Sequence, residues 1–188
     1  GYWFECEKQG IVPDMITMGK ALSAGCGPLS ATHVKSEIAE VFTGKDVFQH
    51  GYTFGGMGYL AAAGLAGINY VESHNLLARV SEIGRILSRE LGRLKESSLI
   101  VGDVRVNGTL GAVELVKDKA TKEIFGDRSA VAKVIGKVGR DNGVELGCSS
   151  WYGDIILFNL PLIITDDELN TTFNAIGNAV EEVEKQFL

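Results

Sequence analysis

The hydrophobic pattern of this 188-residue chain changes its period near Tyr59. Before that point, apolar residues form short runs at Met15–Met18 and Ala31–Val34, separated by glycine-rich connections. After it, apolar residues recur at three- and four-residue steps, with a break at residues 73–75. Short runs between turns predict strands, and the second spacing predicts two consecutive amphipathic helices. We therefore expect the chain to begin in a buried, mostly parallel sheet. On the first helix the spacing selects three residues for the buried face: Leu65, Ile68 and Val71.

Beyond Ser97, short apolar runs alternate with longer helical patterns, which predicts an α+β unit. A final helix is expected to begin at Thr165, because Glu168 stands three residues later, as in a capping box. The other expected elements are one helix, at Ser129–Asn142, and four strands, at Gly102–Val106, Leu110–Val116, Val144–Gly147 and Asp154–Phe158.

Composition excludes several classes of protein. With 45% hydrophobic and 22% charged residues, the chain is expected to be globular. A net charge of -6 without a basic stripe argues against a nucleic-acid partner. The longest mainly apolar stretch, Tyr59 to Val71, is too short to span a bilayer, so no membrane partner is expected. The three cysteines, Cys6, Cys26 and Cys148, have no metal-ligand or disulfide spacing, which favours a reducing, cytoplasmic compartment.

Lys20 is the strongest candidate for a catalytic residue. It follows the apolar run that begins at Met15, and a small-residue turn follows it. We expect a strand to deliver its amine into a pocket, where desolvation disfavours the ammonium form. A neutral amine can form a Schiff base with an aldehyde and then act as a general base. The alternative is a surface lysine at the start of a helix near Ala21.

Three segments point to a family. Lys20 is preceded by Gly10-Ile11-Val12-Pro13-Asp14 and followed by Gly25 and Pro28-Leu29-Ser30-Ala31. The segment His50–Gly56 reads H-G-Y-T-F-G-G, and the segment Gly108–Leu115 reads G-T-L-G-A-V-E-L. In this order the three segments resemble motifs of the class III, or ω-, aminotransferases. These are pyridoxal 5'-phosphate (PLP) enzymes of fold type I.

The resemblance implies roles for particular residues. Lys20 would hold PLP through its amine and later carry a proton between the substrate carbon and the cofactor. The Thr53 hydroxyl would bind the PLP phosphate of the neighbouring subunit, which implies a homodimer. Tyr52 and Phe54, on either side of Thr53, complete the predicted cofactor-binding residues, and no metal is expected.

The resemblance also implies a domain organisation. Residues 1–72 are expected to be the carboxy-terminal part of the large, PLP-binding α/β domain. Residues 73–188 are expected to form a linking helix and a small α+β domain. The chain is therefore interpreted as the carboxy-terminal portion of a longer enzyme.

Several of these residues have a simpler explanation. Thr53 is equally compatible with a plain turn, and a lone histidine such as His50 is more often structural. Arg105 and Glu114 are expected to form a structural ion pair. After the second motif, Met57 and Gly58 replace the asparagine or histidine and proline usual in the family, which predicts an altered turn at the start of the following helix.

The expected reaction is transfer of an amino group from an amine or ω-amino acid to a 2-oxo acid. Many relatives carry an arginine that clamps a substrate α-carboxylate, and Leu157 stands at that position here. The alternative is that Arg105 or Arg140 supplies the clamp. An aminomutase or racemase of the same fold would use the same lysine. A catalytically inactive dimerisation module is the alternative from another class.

Overall fold

The computed structural model describes residues 1–43, 46–149 and 152–188. It divides into two compact units, Tyr2–Leu77 and Ala78–Leu188, with Gly1 grouped with the second. The first unit contains helices α1 (Glu5–Lys8), α2 (Ser36–Ala39) and α3 (Gly58–Ser73) and strands β1 (Met15–Met18) and β2 (Ala31–Val34). The ranges of both predicted strands are confirmed.

The two strands of the first unit pair in antiparallel fashion, with Met15 opposite Val34 and Met18 opposite Ala31. The prediction of a mostly parallel sheet is therefore wrong for this pair. The connection between the strands, residues 19–30, contains no crossover helix, which a parallel pair usually uses. It contains instead the 3₁₀ turn Lys20–Ser23 and reverses the chain direction.

Helix α3 differs from its prediction at one residue of the three. Leu65 is 61% exposed, whereas Ile68 and Val71 are half-buried and Leu60 and Gly64 are buried. A glycine carries no hydrophobic signal, so the periodicity of the apolar residues did not identify Gly64.

The second unit is a sheet covered by helices. Helix α4 (Leu76–Ser97) leads into strands β3 (Val101–Asn107) and β4 (Leu110–Leu115), followed by helix α5 (Arg128–Asp141). Strands β5 (Gly147–Cys148) and β6 (Ile155–Asn159) and helix α6 (Asp166–Phe187) complete it. The strand order is β3-β4-β6-β5, and every neighbouring pair is antiparallel.

This unit contains the main core, and it agrees with the predicted α+β arrangement. Strand β5 begins at Gly147, later than the predicted Val144, because the residues before it form a turn in which the Val144 amide donates to the Gly139 carbonyl. The fully buried side chains come from α4, the sheet, α5 and α6, and include Ile83, Leu87, Val113, Ile135, Ile156 and Ile176.

The ends of the long helices are fixed by side chains. At the start of α6, the Thr165 hydroxyl accepts from the Glu168 amide and the Glu168 carboxylate accepts from the Thr165 amide, so the predicted capping box is confirmed. At the end of α4, the Lys119 ammonium donates to the carbonyls of Lys95 and Ser98. None of the helices in the described part of the chain combines the length and apolarity needed to cross a membrane.

Candidate active site

Lys20 lies two residues beyond β1, at the first position of the 3₁₀ turn. Gly19 before it is extended, but Lys20 itself has a φ of 51°, in the left-handed region. Ala24, which ends the turn, also has a φ of 51°. Two non-glycine residues in this region within five positions mark a constrained backbone of the kind that is often associated with function.

Short hydrogen bonds close the turn that follows Lys20. The buried Ser23 hydroxyl donates to the Gly27 carbonyl at 2.5 Å. The Leu22 amide donates to the Gly19 carbonyl at 3.1 Å, and the Ala24 amide donates to the Ala21 carbonyl at 2.9 Å. The peptide groups on both sides of Lys20 are therefore held by the turn itself.

The Lys20 side chain is exposed in this chain and opens a 3₁₀ turn, as the alternative of a surface lysine at the start of a helix predicts, and the described residues do not enclose its amine in a pocket. The turn places Lys20 beyond the end of β1. The groups that pack on the turn contact its backbone and leave the Lys20 side chain exposed. Within the described part of Tyr2–Leu77, no hydrogen bond or ion pair holds the Lys20 ammonium.

The other lysines of this unit differ from Lys20. Lys8 lies 3.6 Å from the Glu5 carboxylate, and Lys35 donates to Asp14 at 2.5 Å. That hydrogen bond to Lys35 lowers the pKa of Asp14. Lys45 lies outside the described residues. Lys20 offers a primary amine that no described carboxylate holds, and a primary amine is the group that an aldehyde cofactor binds.

Thr53 lies in a turn before α3. The Gly55 amide donates to the Tyr52 carbonyl at 2.9 Å, and Gly56 has a φ of 75°. Thr53, Tyr52 and Phe54 are all exposed. Helix α3 begins at Gly58 without a side-chain cap, which is the local consequence of Met57 and Gly58 in place of the family residues.

The predicted residues do not form one cluster. Among the described residues, no hydrogen bond, ion pair or ring contact joins Lys20 to Thr53. His50 packs edge-on against Phe48 and Tyr52, with ring centroids 6.0 and 5.1 Å apart, in agreement with a structural histidine. No group of three or more His, Cys, Asp or Glu side chains in the described ranges is arranged to hold a metal ion.

Leu157 lies on the face of the second sheet opposite to the core, next to a groove of about 560 Å³. Strand register places Leu157 beside Ala112, which in turn lies beside Arg105. Arg105 donates to Asp103 at 2.7 Å and to Glu114 at 2.8 Å, and these hydrogen bonds raise its pKa. The predicted pairing of Arg105 with Glu114 is confirmed.

Sequence reasoning missed two residues that contact the lysine turn, Gly64 and Gly67 of α3. A Cβ atom at Gly64 would lie 2.8 Å from Leu29 Cδ2, and one at Gly67 would lie 3.2 Å from the Ala24 Cβ atom. The available signal was a pair of glycines, three residues apart, in a helix otherwise rich in alanine.

Comparison with known proteins identifies relatives along nearly the whole chain. Residues 1–180 match the family model described as Aminotransferase class-III. The chain is 33% identical to the adenosylmethionine-8-amino-7-oxononanoate aminotransferase of Aquifex aeolicus, with 99% of this chain and 41% of the relative covered. It is 31% identical to the taurine–pyruvate aminotransferase of Bilophila wadsworthia, with 100% of this chain and 42% of the relative covered.

A solved structure agrees with these matches. The (S)-enantioselective ω-transaminase of Thermomicrobium roseum superposes with a TM-score of 0.88 at 30% identity, covering 97% of this chain and 40% of that one. The predicted α/β fold class is thereby confirmed. The chain spans about two fifths of the length of the relatives it matches.

Proposed function

Because the chain belongs to the class-III aminotransferase family, whose members depend on PLP, we propose that it carries the catalytic lysine of an enzyme that transfers an amino group to a 2-oxo acid. The observation that carries the proposal is the position of Lys20 on a constrained left-handed turn, within the stretch of the chain that matches the family. The activity is proposed for a protein that also supplies the parts of the family structure not spanned here.

Lys20 has two tasks in this proposal. Its Nζ atom would hold the cofactor through its aldehyde, and once substrate had displaced it the free amine would carry the proton from the substrate carbon to the cofactor, as amino-group transfer requires. Bound PLP supplies a conjugated ring that withdraws electrons from that carbon. The hydrogen-bonded turn keeps the backbone of Lys20 in one position while the side chain moves between these tasks.

Thr53 is proposed to bind the cofactor phosphate of a neighbouring subunit, with Tyr52 and Phe54 beside it. The Thr53 hydroxyl is exposed and has no hydrogen-bond partner among the described residues, so it is available as a donor. The absence of contact between Lys20 and Thr53 within the described chain is compatible with their serving different sites of a homodimer. A cytoplasmic location is proposed with this assignment.

The two compact units support a proposed assignment of the chain to two domains. Residues 1–72 would belong to the large cofactor domain, and residues 73–188 would form the linking helix and the small α+β domain. The structural division between Leu77 and Ala78 lies close to this boundary.

An amine or ω-amino acid is the proposed donor. Leu157 cannot pair with a carboxylate, and Arg105 is already shared between two carboxylates. Arg140, the other candidate clamp, donates to Glu145 at 3.3 Å. A buried, unpaired carboxylate is costly, so a donor without one next to its nitrogen is favoured. The names of the relatives include both kinds of amine: taurine has no carboxylate, whereas adenosylmethionine carries one next to its nitrogen.

Borohydride reduction of the full-length holoenzyme tests the assignment. We expect peptide mapping to find the pyridoxyl group on Lys20, and we expect Lys20→Ala to abolish both the adduct and the turnover. Lys35→Ala is the matched control, since that lysine is paired with Asp14.

A second measurement separates the alternatives. Stoichiometric consumption of a 2-oxo acid identifies an aminotransferase, whereas substrate isomerisation without such consumption would identify an aminomutase or racemase. An adduct on another lysine would contradict the assignment of Lys20, and absence of any cofactor absorbance would identify an inactive module.

A further inference from the structure

Helix α3 contacts the lysine turn through glycines. A Cβ atom built on Gly64 would lie 2.8 Å from Leu29 Cδ2 and 3.3 Å from the Leu22 carbonyl oxygen. One built on Gly67 would lie 3.2 Å from the Ala24 Cβ atom. From the other side, a Cβ atom on Gly27 would lie 2.6 Å from Leu60 Cδ2. The turn and the helix therefore approach each other more closely than side chains at these positions would allow.

Apart from Gly58 at its first position, the glycines of α3 stand where the helix meets the turn. Glycine is unfavourable in a helix interior compared with alanine. The same helix has exposed alanines at Ala61, Ala62 and Ala66, whereas Gly64 is buried and Gly67 is half-buried. Helix propensity would favour alanine at the glycine positions as well, so it is the contact with the turn that requires glycine.

The contacted residues belong to the strained part of the turn. Ala24, opposite Gly67, holds a left-handed conformation that a residue with a Cβ atom adopts reluctantly, and so does Lys20. Such conformations persist when the surrounding structure leaves no alternative. Here the surroundings are α3 on one side and the buried Ser23 hydroxyl, bound to the Gly27 carbonyl, within the turn.

We propose that Gly64 and Gly67 are positioning residues for Lys20: their missing side chains let α3 press the turn into the conformation that directs the lysine amine. The inference rests on the proposed function of Lys20. Neither glycine touches a substrate or cofactor in this proposal. An added methyl group at Gly67 would push Ala24 by a few tenths of an ångström and displace the turn that carries the amine.

The test uses Gly67→Ala in the full-length enzyme. We expect PLP to attach to Lys20 of the apoenzyme about tenfold more slowly, since small misplacements of a reacting group are costly. Hydrogen exchange at the Ala24 and Cys26 amides of the apoenzyme should accelerate, because the hydrogen bonds that these amides donate within the turn should lengthen. Gly64→Ala should act in the same direction.

Two further variants separate positioning from general stability. Ala24→Gly combined with Gly67→Ala removes the opposing Cβ atom and suits a φ of 51°, so we expect attachment within about twofold of the unsubstituted rate. Gly92→Ala is the matched control, since a Cβ atom there would meet nothing within 4 Å on helix α4. We expect its attachment rate to be unchanged.

The outcomes are distinguishable. Attachment at the unsubstituted rate in folded Gly67→Ala, or a slow rate in the double variant, would overturn the inference and leave the assignment of Lys20 intact. Slow attachment in Gly67→Ala with recovery in the double variant supports it, even where Gly67→Ala also lowers the melting temperature. Absence of attachment at Lys20 in the unsubstituted enzyme would overturn the proposed function and this inference with it.

Discussion

Charge pairing at single residues decides which side chains near Leu157 are available to a substrate. Lys95 donates to Asp103 at 2.9 Å and lowers its pKa, and Asp103 also accepts from Arg105. Glu114 completes the set as the second acceptor for Arg105. In this network each cation already has a carboxylate, so an incoming carboxylate would have to displace one of them.

Leu157→Arg should therefore change donor preference in the full-length enzyme. A planar guanidinium on this face can bind a carboxylate through two charge-assisted hydrogen bonds, and a hydrogen bond to a charged group contributes about 1.5–3 kcal/mol. We expect kcat/KM for an α-amino acid donor, relative to a simple amine, to rise about tenfold or more. Leu157→Met is the control and should leave the ratio unchanged. If α-amino acids are already the best donors of the unsubstituted enzyme, the argument from Leu157 is wrong.

Cys148 should be an unreactive thiol. Burial, followed by the charge of Asp154, raises its pKa to about 11. The thiolate is the nucleophile, so alkylation of Cys148 should be slow at neutral pH and accelerate as the pH approaches 11. Cys26 is exposed and serves as the internal comparison. Mass spectrometry after iodoacetamide treatment should find Cys26 modified first, and equal modification of both at neutral pH would contradict this expectation.

The motif around Lys20 allowed the candidate lysine and the turn after it to be predicted from sequence. It did not predict the exposure of the amine, because exposure depends on which groups pack around the turn rather than on the turn itself. The left-handed conformations of Lys20 and Ala24 could not be predicted from sequence either, since neither residue is a glycine, the residue type that indicates this conformation.

Among the elements, helices with large apolar side chains were predictable and helices with small ones were not. Helix α4 buries Ile83, Leu87 and Leu91, as its spacing indicates. Helix α3 exposes Leu65 and buries Gly64, because its glycine positions pack closely on Leu29 and on the turn that follows Lys20. The end of α3 was predictable from the break before Leu76.

The capping box of α6 is a stabilising feature that sequence and structure both indicate. Thr165→Ala removes the hydroxyl that accepts from the Glu168 amide, and loss of such a cap costs about 1 kcal/mol of the free energy of unfolding. Urea denaturation should measure this loss. Thr171→Ala is the matched control, since its exposed hydroxyl only donates to the Asp167 carbonyl within the same helix. Equal stability of the two variants would contradict the role of the cap.

For the molecule as a whole, the sequence indicated where strands give way to helices but not the direction in which the strands pair. The change of period near Tyr59 marks the start of helix α3, which belongs to the same unit as the strands before it. Antiparallel pairing of β1 with β2 depends on the geometry of the intervening turn. The apolar pattern that predicted a buried sheet contains no information about that geometry. A two-stranded sheet is marginally stable by itself, so the first unit depends on further packing.

The distribution of exposed apolar side chains leads to a prediction for the 188-residue chain in isolation. Most of the exposed large apolar side chains of the described residues lie in Tyr2–Leu77, among them Val12 at 80% and Val47 at 71% exposure, whereas fewer lie in Ala78–Leu188, such as Leu99 and Ile163. Large exposed apolar patches promote association. We expect sedimentation velocity to find self-association that grows with protein concentration.

The isolated residues 76–188 should remain monomeric over the same concentrations, since that segment holds the helices and strands that share the main core. Replacing Val12 and Val47 together by serine should weaken association of the 188-residue chain without altering its melting temperature, because neither side chain is buried. If residues 76–188 associate to the same extent as the whole chain, the surface that mediates self-association lies on the second unit. If the chain instead associates through Tyr2–Leu77, the candidate active-site residues lie in the unit that associates, because that unit contains Lys20 and Thr53.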